Sequence, residues 1–204
     1  MVEKNLEKKQ IQEIADIFTG LPITRYKKYP NLTKKSVLSV VKSDDERNHV
    51  LFKSELLPEE IVEKESFEKY FLKNNDIIFK TQSPNHIFYN KRKKLKEIIV
   101  PSAYIIIRIK EENYNKINPE YLSEILKSNV VKRQLNKYSE GKRSIMRLSN
   151  FKKIEIPILS IENQNEFSKL LNLINEKIKT QKEQIKYEKE LKEGILINIL
   201  GEED

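Results

Sequence analysis

Apolar positions recur along this chain with two different periods, and the change between them divides it. Ile11, Ile14, Ile17 and Phe18 fall at helical spacing and Gly20 follows where a glycine commonly ends a helix, which predicts a short helix. Leu21 to Tyr29 reads as a loop, and Ser36 to Val41, rich in β-branched residues, as a strand. Glu59 to Leu72 has helical periodicity with Ile61, Phe67, Tyr70 and Phe71 on the inner face. Asn74-Asn75-Asp76 is a turn leading into the short buried strand Ile77-Ile78-Phe79, whose far end delivers the polar run Lys80 to Asn90. Ile98 to Ile109 is the strongest strand signal, with Pro101 and Ser102 marking an edge or a bulge within it. Asn118 and Pro119 suit the cap and first position of a helix whose apolar face is Tyr121, Leu122, Ile125 and Leu126; a second helical piece, Val130 to Tyr138, ends at Gly141.

Leu148 to Gln164 forms a joint. Ser149 suits the cap of one helical turn, Ile154 to Ile158 is extended and interrupted by Pro157, and Ser160 suits the cap of a further helix with Glu162 in its first turn. Beyond it the spacing becomes a near-heptad: Phe167, Leu171, Ile174, Ile178, Gln181, Ile185, Glu188, Lys192, Ile195 and Ile199. The polar members of that series allow the seam to shift near Glu188 onto Leu191. At 1.5 Å per residue, a helix of about thirty-five residues spans roughly 50 Å. The expected fold is therefore α+β: a globular body, residues 1–158, with a small mixed sheet and flanking helices, followed by a long C-terminal helix, residues 159–204, suited to a coiled coil.

Composition narrows the chemistry. A chain of 204 residues holds one domain and an appendage, and the absence of cysteine removes disulfides and thiolate chemistry. His49 and His86 are the only imidazoles, so a zinc site built on His and Cys cannot be assembled. With 4 glycines there is no phosphate-binding loop and no dinucleotide fingerprint. Neither a membrane span nor a signal segment is visible, which suggests a cytoplasmic protein without a membrane partner. Asn118-Pro119-Glu120-Tyr121 resembles the Asn-Pro-Pro-Tyr loop of amino-methyltransferases, but the second proline is missing and a helix cap explains all four residues. Asp76 with Lys80 is a faint echo of a metal-dependent nuclease centre, and turn formation explains Asp76 better. No catalytic residue, metal or cofactor is expected.

The net charge of +8 makes polyanions the leading partner class, although a solvated surface also needs many charges. Its distribution adds more. Lys80, Gln82, Ser83, Asn85 and His86 join a cation to short hydrogen-bonding side chains of the kind that read base edges, and Lys91 and Arg92 follow. Arg25, Lys27 and Lys28 repeat the combination in one further loop, and Lys142, Arg143 and Arg147 in another. Each loop taken singly also reads as an ordinary solvated loop; together on one small body they favour double-stranded DNA.

Four segments, in order, resemble the DNA-specificity subunits of type I restriction-modification systems: Ile14-Ala15-Asp16-Ile17-Phe18-Thr19-Gly20, Asn75-Asp76-Ile77-Ile78-Phe79, Pro101-Ser102-Ala103-Tyr104-Ile105-Ile106, and Gly141 through Gln164. Within the last, Ile156-Pro157, Glu162 and Gln164 match that family's Pro-rich entry into its conserved helix. The chain departs from the pattern in the Lys80 to Asn90 run, which lacks the usual glycines, and at Ser160, where a proline is common. The resemblance implies a non-catalytic target-recognition domain joined to a helix that pairs antiparallel with another and docks methyltransferase subunits. Full-length members resemble two copies in tandem, so one copy implies a half-subunit that dimerises, or a piece of a longer protein. The dimer or partner interface would use Phe167, Leu171, Ile174, Ile178, Ile185, Leu191 and Ile195. The alternative is an interaction scaffold whose basic body binds acidic surfaces without sequence preference.

Overall fold

A computed structural model of the protein describes residues 6–22, 35–44, 49–58, 68–82, 87–89, 98–138 and 145–201. The first elements are β1 (Glu7–Gln10), α1 (Ile11–Ile14), β2 (Ala15–Thr19), β3 (Lys35–Asp44) and β4 (His49–Pro58). After a 3-10 turn at Glu68–Tyr70 come β5 (Ile77–Lys80), β6 (Ile87–Tyr89), β7 (Ile98–Ile99) and β8 (Tyr104–Ile109). The remainder is α2 (Pro119–Lys127), α3 (Asn129–Lys137), α4 (Leu148–Phe151), β9 (Glu155–Ile158) and α5 (Ile161–Leu200). Two compact units result, Met1–Gln164 and Asn165–Asp204.

The body is built on an antiparallel sheet ordered β2-β8-β5-β6. Its middle strands are those whose sequences are apolar without alternation: Ile77, Ile78 and Phe79 in β5, and Tyr104 to Ile107 in β8, are all buried because both faces are covered. On one face Ile77, Phe79, Ile105 and Ile107 pack with Leu122, Leu126, Val131, Leu135 and Phe151. On the other, Ile78, Tyr104 and Ile106 pack with Leu72, Ile98 and Val100. Each fully buried Ile in these layers contributes about 1.5–3 kcal/mol relative to exposure. A second sheet, ordered β4-β3-β7, is mixed, with β3 antiparallel to β4 and parallel to β7, and β1 pairs with β9 in a two-stranded ladder.

The strands at 36–41 and 77–79, the two helical pieces after Asn118 and the long C-terminal helix stand where the sequence places them. Asn118 caps α2 through its side-chain oxygen, which accepts from the N–H groups of Glu120 (2.8 Å) and Tyr121 (3.3 Å). Ser160 caps α5 by accepting from the N–H of Asn163 at 3.3 Å. Asn75 adopts φ 66°, the left-handed conformation that asparagine tolerates in a turn. The division of contacts at Gln164 lies a few residues beyond the boundary expected at 158.

Other expectations are corrected. The helix expected to include Ile17 and Phe18 ends at Ile14, and the chain turns into β2, which pairs with the apolar edge of β8 from Ala15↔Ile109 to Thr19↔Ile105. Gly20 is therefore no helix cap: a Cβ there would collide with the carbonyl oxygens of Val100 and Pro101, so glycine permits a close crossing of two backbones. Residues 98–109 form two strands in two sheets, because Pro101 opens a turn closed by Tyr104 N–H donating to the Pro101 carbonyl at 3.0 Å. The polar run after Lys80 is interrupted by β6, antiparallel to β5. Ser149 lies inside α4, whose N-cap is Arg147. Of the helix expected over 59–72, residues 59–67 lie outside the described residues; the rest is not helical as expected, because Glu68–Tyr70 is a single 3-10 turn and Phe71 is drawn into an antiparallel bridge with Ile99.

Candidate nucleic-acid interface

The Lys80–Tyr104 end of the central sheet gathers several chain segments through backbone hydrogen bonds. Gly20 N–H donates to Tyr104 O (3.0 Å), Leu21 N–H to Val100 O (2.8 Å) and Ser102 N–H to Leu21 O (2.8 Å). Thr81 donates to Ala103 O through its N–H at 3.0 Å and through its hydroxyl at 2.9 Å. Met146 N–H donates to Thr81 O at 2.9 Å, beside an isolated bridge joining Gln82 to Ile145.

The expected DNA contacts can be placed against that end. Lys80 closes β5 and is half-buried, Gln82 is exposed beside Ile145, and Arg147 is exposed one residue beyond Met146. Arg25, Lys27, Lys28, Ser83, Asn85, His86, Lys142 and Arg143 lie outside the described residues. In sequence, 23–34 follows Pro22, 83–86 follows Gln82, and 139–144 precedes Ile145. Lys91 and Arg92 also lie outside, in a segment that follows Tyr89, which pairs with Ile77 at the other end of β5.

Asp76 stands at that other end and is consumed by structure. Fully buried, it accepts the Lys73 N–H through Oδ2 (2.7 Å), closing the turn, and a paired guanidinium contact from Arg108, Nε to Oδ1 (2.8 Å) and Nη2 to Oδ2 (2.7 Å). Burial pushes its carboxyl above the ordinary value, against the opposing pull of Arg108. Asp76 and Lys80, at opposite ends of β5, do not converge on a common centre. Among the described residues no group of three or more His, Asp or Glu could hold a metal ion.

Sequence reasoning missed a basic cleft of about 540 Å³ lined by Asp16, Phe18, Lys69, Arg108, Lys110 and Lys152. The Phe18 ring carries Lys69 Nζ at 5.1 Å and Arg108 Cζ at 5.4 Å from its centroid. The residues belong to four separate segments, so no local run of sequence announces them.

Gln164 and Tyr121 hold the joint. Gln164, fully buried, accepts the Asn118 N–H through Oε1 at 2.8 Å and donates through Nε2 to the carbonyls of Lys116 and Leu159, both at 2.8 Å. Tyr121 donates its hydroxyl to the Pro157 carbonyl at 2.9 Å, and burial raises its pKa to about 12. In the second unit, α5 exposes Phe167, Ile174, Ile178, Ile185, Leu191 and Ile195, with Leu171 half-buried, while Lys179–Glu183 and Lys186–Glu190 pair along its surface. Among the described residues no helix is long and apolar enough to cross a membrane.

No protein-family model and no curated protein matches this sequence. Solved structures do. The HsdS subunit from Thermoanaerobacter tengcongensis superposes with a TM-score of 0.64 at 16% identity, over 96% of this chain and 48% of its own. A chain from a study of complex assembly and conformational transition in the type I R-M system gives 0.65 at 14% identity, over 95% of this chain and 44% of its own. The type I restriction-modification S subunit from M. genitalium gives 0.56 at 14% identity, over 95% and 46%. The chain spans about half the length of each, and its fold is that of S subunits of type I restriction-modification systems.

Proposed function

We propose that the chain is a specificity component of a type I restriction-modification system, a non-catalytic protein that reads double-stranded DNA as a homodimer. The observation that supports this best is a single fold match running through body and long helix alike, covering 95% of this chain but 44% of the longer protein. A chain holding one such unit gains the second by pairing with a copy of itself, and α5 offers an exposed aliphatic seam for doing so. Its 40 residues span about 60 Å, roughly eighteen base pairs at 3.4 Å each. Two bodies related by a two-fold axis read inverted half-sites, and the paired helices dock methyltransferase subunits, which supply the chemistry. Lys80, Gln82 and Arg147, with the cations of the adjoining loops, are the proposed DNA contacts.

Salt-titrated selection from a random duplex pool tests this reading. A split motif with inverted halves is expected. Binding without any enriched motif favours the non-specific basic scaffold and overturns the proposal; cleavage of plasmid by the purified chain with divalent metal overturns its non-catalytic part.

A further inference from the structure

We propose that the outer face of α3 lies against the phosphate backbone of the DNA, adding a helix to the contacts proposed for Lys80, Gln82 and Arg147; this rests on the DNA-binding reading above. The exposed residues Asn129, Lys132, Arg133, Asn136 and Lys137 follow one another at i, i+3, i+4, i+7 and i+8 and form one solvent-facing stripe, opposite the buried Val131 and Leu135. That stripe holds cations and short amides and no acid anywhere in the helix. A merely solvated face takes charges of either sign, as the other two long helices do: α2 pairs Lys127 with Glu124 at 2.7 Å, and α5 interleaves Lys with Glu along its length. Cations and amides without carboxylates are the composition that phosphate oxygens require.

The helix is also held in place. Ser128 Oγ caps it by accepting the Val131 N–H at 3.4 Å. Gln134 grips the Glu155 backbone in both directions, donating from Nε2 to the carbonyl at 3.0 Å and accepting the N–H through Oε1 at 3.0 Å. Tyr138, which caps α3, precedes Ile145, beside Gln82 at the gathered sheet end, by seven positions in the sequence. At ~3.5 Å per residue that connection reaches at most about 25 Å, a distance comparable to the width of one duplex.

The test compares salt dependence of duplex binding by the full chain and by the triple variant Lys132→Ala, Arg133→Ala, Lys137→Ala. Losing three phosphate contacts should reduce the slope of log K against log salt by about 2.7, with the selected motif unchanged. A control triple, Lys73→Ala, Lys116→Ala, Lys182→Ala, removes as many exposed cations from other parts of the chain, and circular dichroism melts confirm that both variants fold. An unchanged slope overturns the inference, as does an equal fall in the control; a changed motif overturns the assignment to phosphates. Absence of a motif in the wild type counts against sequence specificity alone and leaves α3 judged by its slope, whereas a wild type that binds no duplex overturns both.

Discussion

Substituting Gln164 by alanine withdraws a buried side chain from three backbone groups at once: the Asn118 N–H and the carbonyls of Lys116 and Leu159. A buried donor left without its acceptor costs about 2 kcal/mol, and each carbonyl, with a second lone pair, about 1 kcal/mol. Trimming a methylene adds about 0.8 kcal/mol. Release of a long side chain from one rotamer offsets about 1.5 kcal/mol. The expected net loss is about 3 kcal/mol, a urea midpoint lower by about 1.5 M for a slope of about 2 kcal/mol/M. Tyrosine fluorescence reports it, since the chain has 9 tyrosines and no tryptophan. Gln164→Glu separates hydrogen bonding from shape, because it keeps the acceptor for Asn118 but turns a carboxylate oxygen toward two carbonyls. Burial and those carbonyls raise that carboxyl's folded pKa above the unfolded value of about 4.3, so its stability should recover on acidification and be lost as pH rises. A Gln164→Ala midpoint within about 0.3 M of wild type, or a Glu variant as stable as wild type at pH 7, refutes the argument.

Gly20→Ala should cost about 3 kcal/mol, the upper end for overpacking, because the atoms struck are backbone carbonyls; a thermal melt unchanged from wild type contradicts that. Tyr121, its folded pKa raised from 10.0 to about 12, contributes stability that is fully present below pH 10 and lost as pH rises through about 12. Tyr121→Phe should therefore be less stable by about 1 kcal/mol at pH 8 and flatter in its alkaline limb; parallel stability curves from pH 8 to 12 would speak against it. Ile178→Lys or Ile185→Lys should leave the chain monomeric by light scattering, and a dimer in either variant shows the seam to lie elsewhere.

Much of the fold is legible because its signals are local. Asn118-Pro119 caps a helix whatever surrounds it, Ile77-Ile78-Phe79 reads as buried on both faces, and the long helix announces itself by spacing. What escaped was set by partners distant in sequence. Ile11, Ile14 and Ile17 fit a helix, but the edge of β8 draws residues 15–19 into a strand. The role of Gly20 depends on carbonyls eighty residues away, and Arg108 meets Asp76 across the fold. The candidate site divides in the same way: charge and amide content marked the loops, and only the tertiary hydrogen bonds of Thr81, Leu21 and Met146 show that their anchors share one end of the sheet. The acid-free stripe of α3 was equally present in the sequence, but its exposure became visible only once Val131 and Leu135 were seen to face inward.

Native mass measurement of the purified chain on the duplex selected from a random pool tests the central claim most directly. Two chains per full-site duplex are expected, with much weaker binding when either inverted half is scrambled. One chain per duplex, or equal occupancy of intact and half-scrambled sites, would contradict the reading of this chain as half of a bipartite DNA reader.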